Sequence, residues 1–303
     1  MAHDHHSFHE LNHQAARRLA LSLVITLLFV VLELAAGILS NSLALLTDAA
    51  HNFTDVLALG LTWWAVWITT KPAHAGKTYG YHRAGILVAL VNSTTLVLIA
   101  VGIFYEAVRR IMNPPQVDAG TLIWVGAAAV AVNLVTALLV RRGAEHDLNL
   151  KSAFLHLMGD VLSTIGAVIA GVIIRFTGAN WIDPLVSMFI GVLILWNAWG
   201  IVRESVHILM ESTPADIDMD ALVRDLKVIP GVRGVHDLHV WSLNQAMRTL
   251  SAHIITEDVT ISQGAQVQSA ISAMLAEKYK ILHATLQLEC PGCASGQVYC
   301  ETC

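Results

Sequence analysis

Residues 43–64 read LALLTDAAHNFTDVLALGLTWW, and residues 150–174 read LKSAFLHLMGDVLSTIGAVIAGVII. Each is an apolar run interrupted by a histidine and an aspartate four positions apart: His51 and Asp55 in the first, His156 and Asp160 in the second. On a helix that spacing stacks the two side chains on one face. Two such faces turned towards each other make a four-ligand site. An ionisable side chain inside a membrane helix costs at least ~2.5 kcal/mol on insertion scales, and is retained for a pathway, a relay or a ligand site. Two imidazoles and two carboxylates suit the tetrahedral preference of Zn2+, and the two carboxylate charges neutralise the ion in an apolar setting. The plainer reading is a separate polar pair at each helix interface. The pattern's appearance in two apolar runs favours metal.

Composition places these runs in a membrane. The 303 residues are 55% hydrophobic and only 14% charged, with a mean hydropathy of +0.60, values unlike those of a soluble enzyme of this size. The start of the sequence lacks the order of basic region, apolar stretch and small-residue cleavage site that marks a signal peptide. Instead a histidine-rich tract, residues 1–16 with His3, His5, His6, His9 and His13, precedes a long apolar run. Such a tract reads as a weak metal-capturing tail or as a solvated segment. The net charge of −5 gives no hint of nucleic acid.

Apolar stretches near 19–39, 43–69, 83–112, 119–140, 150–174 and 183–205 each approach or exceed the ~20 residues that span a hydrocarbon core. Six crossings put both termini on one side. With the termini inside, the inner flanks hold Arg17, Arg18, Lys71, Lys77, Arg83, Arg141, Arg142, Lys151 and Arg203, whereas the outer flanks hold Arg109, Arg110 and Arg175. That bias predicts cytoplasmic termini. The second helix then runs inwards and the fifth outwards, which levels His51 with Asp160 and Asp55 with His156. All four lie about 12–18 Å deep at 1.5 Å per residue, near the midplane where transporter sites sit. Asp48 shares their stripe one turn further out, either beside the site or as part of a helix cap with Ser42 and Thr47. Glu33, Glu106 and Asn133 read as helix-packing or hydrogen-bonding residues, and Gly166, Gly171 and Gly191 as points of close helix approach.

From about residue 211 the composition becomes that of a small soluble domain. MDALVRDLKVI predicts a helix, RGVHDLHVWSL and MRTLSAHIIT two strands, ISQGAQVQSAISAMLAEKYK a second helix, and ILHATLQLE a third strand. This αββαβ order suits a sheet with helices on one face. His236 and His253 fall on neighbouring strands and can approach one another; His239 and His283 recur in the same domain, and Glu289 lies on the last strand. The four cysteines, Cys290, Cys293, Cys300 and Cys303, form two CxxC pairs in the final residues. They can supply thiolates to one Zn2+, divide between sites, or act as a redox pair. The expected domains are a histidine-rich tail (1–16), a six-helix transmembrane domain (17–210), a cytosolic α+β domain (211–289) and a cysteine-rich tail (290–303).

Taken together, SNSLALLTDAAHNFTD (40–55), TYGYHRAGILVALVN (78–92), FLHLMGD (154–160), RFTGANWIDP (175–184) and GVRGVHDLHVWSL (231–243) resemble the cation diffusion facilitator family, particularly its zinc-transporting bacterial branch and the vesicular zinc transporters. The resemblance runs in order over residues 17–289. It implies a homodimeric exporter with six transmembrane helices and a cytosolic ferredoxin-like domain, exchanging Zn2+ for H+, with Cd2+ or Co2+ tolerated. The family's transport ligands fall on His51, Asp55, His156 and Asp160, and its cytosolic ligands on His236, His253 and Glu289. The CxxC pairs resemble extra thiol ligands of the vesicular branch. Two departures stand out: Gly85 occupies the place of the usual acidic residue two positions after Arg83, and the short RRGAEHDLNLK (141–151) replaces a histidine-rich loop.

Protonation suggests the coupling. The histidines must be neutral and the aspartates ionised to hold metal, so metal and protons compete for the same groups. A unit of pH difference supplies about 1.4 kcal/mol per proton. A membrane metalloenzyme would need an open coordination position and a general base, such as HExxH supplies, and that motif is absent. A non-transporting metal sensor or scaffold is the alternative, although it has no use for a charged midplane site.

Overall fold

The computed structural model describes residues 24–144, 148–244 and 246–290, with residues 139–144, 148–153, 155 and 156 described through their backbone alone. The helices are α1 (Val24–Ser40), α2 (Leu43–Thr69), α3 (Ala84–Met112), α4 (Ala119–Ala144), α5 (Leu148–Thr177) and α6 (Ile182–Leu209), followed by α7 (Met219–Val228), β1 (Gly234–Ser242), β2 (Arg248–Ile255), α8 (Ile261–Tyr279) and β3 (Ile281–Glu289). Two compact units emerge. One takes residues up to 63 with 91–201, and the other takes 64–90 with 202 onwards.

The first unit is built inside out relative to a soluble protein. Among the described residues, four helices are long and apolar enough to cross a membrane: α3, α4 over Ala119–Leu138, α5 over Leu157–Thr177, and α6. Only 28–39% of their apolar windows is buried. Large side chains such as Leu39, Leu98, Trp124, Phe176 and Trp196 point outwards, while Glu33, Asp48, Asn52, Ser93, Asn133, Thr164, Asp183 and Ser187 are buried. That partition suits a hydrocarbon solvent, which accepts leucine but not an unpaired polar group. The 27-residue α2 has the length to span. Asp48, His51, Asn52 and Asp55 interrupt its apolar sequence, and it is not among those four.

The entry to α2 is fixed from a distance. Asn41 turns the chain between α1 and α2 with φ +56°, and its carbonyl accepts from Arg110 Nη1 at 2.7 Å. The buried carboxylate of Asp183, in the first turn of α6, accepts from Ser42 Oγ (2.6 Å) and from the backbone amides of Leu43 (2.6 Å) and Ala44 (3.2 Å). It therefore satisfies donors that a helix N-terminus leaves without partners. Asp48 does not cap this helix. Its carboxylate accepts instead from Thr164 Oγ1 of α5 at 3.0 Å.

Helices α4 and α5 approach closely through small residues, though only one of the expected glycines takes part. A Cβ on Gly171 would lie 3.0 Å from Leu122 and Ile123, and one on Gly126 would lie 2.8 Å from Val168. Gly166 faces open space, and a Cβ on Gly191 would meet Ile103 and Phe104 at an ordinary 3.6 Å. Close packing here depends on a complementary side chain opposite the glycine.

In the second unit, β1-β2-β3 form one sheet, antiparallel between β1 and β2 and parallel between β2 and β3. The parallel pair requires a crossover, which α8 provides. Asp218 caps α7, and a Thr260–Gln263 capping box starts α8. Leu222 and Leu226 of α7, Ile271 and Leu275 of α8, and Leu238, Val240, Leu250, Ile254 and Ile281 of the strands form one core on one face of the sheet. The alternation of strand side chains then leaves His236, Thr249, Ser251, His253, Gln287 and Glu289 on the opposite face.

Candidate metal centre

In the first unit, α2 and α5 bring three donors together. His51 Nε2 lies 3.6 Å from Asp55 Oδ2, its i,i+4 neighbour, and 3.4 Å from Asp160 Oδ1 on α5. Ligand atoms of all three lie within 4.8 Å of one another. They are shielded from water unequally: Asp160 is 8% exposed, His51 12% and Asp55 27%. Asp55 is the most open of the three. His156 belongs to the same helix one turn before Asp160, and its side chain lies outside the described residues. The ligand helices are pinned by neutral donors: Thr164 Oγ1 contacts both Asp48 Oδ2 and the Asp160 carbonyl (2.7 Å), while Asn52, next to His51, donates to Glu33 Oε2 at 3.4 Å. One imidazole and two carboxylates from two helices form a borderline nitrogen and oxygen set suited to a small divalent ion.

A second cluster lies on the open face of the sheet. His236 and His253 are direct cross-strand partners, with ring centroids 5.0 Å apart and ring planes 82° apart. Glu289 joins both: its Oε2 lies 2.8 Å from His236 Nε2 and its Oε1 lies 2.9 Å from His253 Nδ1. Gln287 also donates to Oε1 at 2.8 Å. The hydrogen bond from His236, then that from Gln287, with the adjacent histidine charges, hold the Glu289 carboxyl below its ordinary range. Ligand atoms of His236, His253 and Glu289 also lie within 4.8 Å of one another. Two imidazoles and a carboxylate that already converge fit a zinc ion.

Asp237 belongs to this cluster and was missed by the sequence reading. The register slips between His236 and His239, Asp237 adopts φ +49°, and its carboxylate lies 3.4 Å from His253 Nε2 and 3.1 Å from His239 Nε2. A signal was available. In VHDLHV, Val235 faces inwards and His236 outwards, yet Leu238 and Val240 also face inwards, so the two-residue alternation must skip at Asp237. Elsewhere, His74 Nε2 contacts Tyr81 and its Nδ1 accepts from Gly76, and His283 packs edge-on to Tyr79 at 5.8 Å. Cys290 is exposed. Cys293, Cys300 and Cys303, like the histidines of residues 1–16, lie outside the described residues.

Known families divide the sequence between residues 210 and 214. Residues 19–210 match the cation efflux transmembrane domain, and residues 214–290 match the cytoplasmic domain of cation efflux proteins. The chain belongs to the cation diffusion facilitator family. Similar family members include the cadmium, cobalt and zinc/H(+)-K(+) antiporter of Bacillus subtilis (strain 168), 36% identical over 274 residues, covering 89% of this chain and 88% of that protein. The metal cation efflux system protein CzcD of Cupriavidus metallidurans is 34% identical over 292 residues, with 96% and 90% covered. The zinc transporter ZitB of Escherichia coli (strain K12) is 36% identical over 298 residues, with 96% and 93% covered. These relatives are named for moving cations and carry no enzyme name. Near Gly85, Arg83 Nη2 lies 2.8 Å from Glu211 Oε1.

Proposed function

We propose that this cation diffusion facilitator is a homodimeric metal/H+ antiporter of a bacterial inner membrane, with six transmembrane helices and cytoplasmic termini. It exports Zn2+, with Cd2+ and Co2+ as further substrates, through a tetrahedral site of His51, Asp55, His156 and Asp160. Residues 17–210 form its transmembrane domain and residues 211–289 its ferredoxin-like cytosolic domain. The histidine tract 1–16 and the cysteine tail 290–303 flank them. The observation that carries the reading is the convergence of His51, Asp55 and Asp160, from two helices of an apolar bundle, to within 4.8 Å. The names of the relatives supply the cation class, and the B. subtilis relative's name supplies the exchange with protons.

The chemistry follows from competition. At cytosolic pH the site loads Zn2+ onto neutral imidazoles and ionised carboxylates, and on the opposite side protons displace the metal from the same groups. Moving one net charge outwards costs about 2.3 kcal/mol per 100 mV of inside-negative potential, so the number of exchanged protons decides how far the gradient can drive export. His236, His253 and Glu289 would hold a resident zinc in the cytosolic domain, with Cys290, Cys293, Cys300 and Cys303 as further thiolate donors. Bound there, the ion would cross-link all three strands on the face opposite the core.

The test is Zn2+ flux in proteoliposomes under an imposed pH gradient, read by an internal zinc dye, for the parent, His156→Ala and Asp55→Ala. The expected result is gradient-driven flux in the parent and none in either variant. A correctly folded, metal-loaded parent that passes no zinc overturns antiport and favours a sensor.

A further inference from the structure

Beside the metal ligands lies a second acidic group whose hydrogen bonding does not close. Glu33 of α1 and Asp48 of α2 are 0% and 1% exposed. Each carboxyl has one oxygen held by a neutral donor: Asn52 Nδ2 donates to Glu33 Oε2 at 3.4 Å, and Thr164 Oγ1 to Asp48 Oδ2 at 3.0 Å. The two carboxyl groups are neighbours whose charges act on each other, since Asn52, which donates to Glu33, lies one helical turn after Asp48. Yet Glu33 Oε1 and Asp48 Oδ1 are buried with no donor among the described residues. A hydrogen bond between two carboxyl groups needs a proton, and neither ionised group has one to give. Two adjacent carboxylates in a buried site cannot both stay ionised, because desolvation and mutual repulsion act together. One proton held by the pair lifts that repulsion and supplies the donor that the buried oxygens lack.

We infer that Glu33 and Asp48 form a proton-binding site, separate from the metal ligands, that holds one proton in the metal-free protein and releases it when the metal enters. The geometry supplies the link. Asp48 lies three residues before His51, about 4.5 Å along the helix axis. The charged groups that act on it are its partner Glu33, His51 on its own helix and Asp160 from α5. Thr164 touches both Asp48 and the backbone of Asp160, and Asn52, which holds Glu33, adjoins His51. A dication arriving between His51, Asp55 and Asp160 favours the doubly ionised pair, whose charge passes from −1 to −2 as the proton leaves to water. When the metal departs, the pair takes up a proton again. The pair thus adds one exchanged proton to those displaced from the ligands. This consequence rests on the antiport reading, whereas the protonation of the pair does not.

The experiment uses the full chain, with zinc as the probe, comparing the parent with Glu33→Gln and Asp48→Asn. Either amide can donate to the remaining carboxylate in place of the shared proton, so the hydrogen bond survives, and a monodisperse elution profile serves as the folding control. Three results are expected. Metal-free parent shows a protonated-carboxyl band in infrared difference spectra that disappears on adding zinc, and Glu33→Gln lacks it. Calorimetry in buffers of different ionisation enthalpy counts about one proton fewer released per zinc bound in each variant. In proteoliposomes held at zero potential with a one-unit pH difference, the steady-state zinc ratio falls about tenfold, the worth of one proton. A band that zinc leaves unchanged, or a proton count equal to the parent's, overturns the inference. If the parent transports no zinc, the antiport reading fails, and the band and the proton count still decide the pair.

Discussion

The two donor clusters use the same groups, imidazole and carboxylate, on opposite kinds of scaffold. In the membrane unit, the helical period itself sets His51 over Asp55, and a second helix adds Asp160. There His51 Nε2 stands 3.4 Å from Asp160 Oδ1 and 3.6 Å from Asp55 Oδ2. In the cytosolic sheet, Glu289 is hydrogen-bonded to His236 and Gln287, each at 2.8 Å, and lies 2.9 Å from His253 Nδ1. A cluster whose donors are already satisfied by each other must break those bonds to take a metal, and its empty form is stable. A cluster whose donors stand further apart gives up weaker contacts when an ion enters. This contrast fits a site that exchanges its ion in each cycle and a site that keeps one.

The sharpest way to break the contrast is Asp160→Ala, which removes the carboxylate that α5 contributes. Zinc flux in proteoliposomes should fall to the level of empty liposomes, while zinc retained by the cytosolic sheet in equilibrium dialysis stays. Loss of both together would mean that the two clusters are not independent. Asp183→Ala should come next in size. It strips the acceptor from Ser42 Oγ and from the Leu43 and Ala44 amides at the start of the ligand-bearing α2, and leaving buried donors unsatisfied costs about 1–3 kcal/mol. Denaturant midpoints in detergent measure this, and Asp183→Asn, which keeps an acceptor oxygen, should recover part of the loss. Asp237→Asn should be milder still, weakening zinc binding by the sheet roughly tenfold, as expected when an orienting partner of a ligand is blunted.

The legibility of the two regions differs for the same structural reason. The approach of His51 to Asp55 could be read directly because a four-residue spacing within one apolar run fixes its geometry without knowledge of any other segment. The His236–His253 approach was legible as an alternation on two adjacent strands. What the sequence did not disclose depends on partners far away in the chain. The cap that Asp183 places on α2 spans some 140 residues, and nothing local to NWIDP announces it. Glu33 could be recognised as a costly acid in an apolar helix, but not that its counterpart is Asp48. The same limit explains the glycines: Gly126 and Gly171 differ from Gly166 only in what stands opposite them. Asp237 is the exception, since the parity of VHDLHV carries its own bulge.

The smallest expected effect concerns the saturated carboxylate. Because hydrogen bonds from His236 and Gln287 hold Glu289 below its ordinary value of 4.5, the folded chain binds fewer protons there than the unfolded chain in the window just below pH 4.5. Stability from this group is therefore fully present above that pH and is lost as pH falls through the lower folded value. In chelator-treated protein, the parent's acid unfolding curve should be steeper in that window than that of Glu289→Gln, followed by the fluorescence of Trp241 on the same face of β1. Equal slopes would show that the sheet carboxylate is held no more tightly than an ordinary one. The difference between the tighter cluster of the sheet and the looser one of the helices would then have to come from the histidines alone.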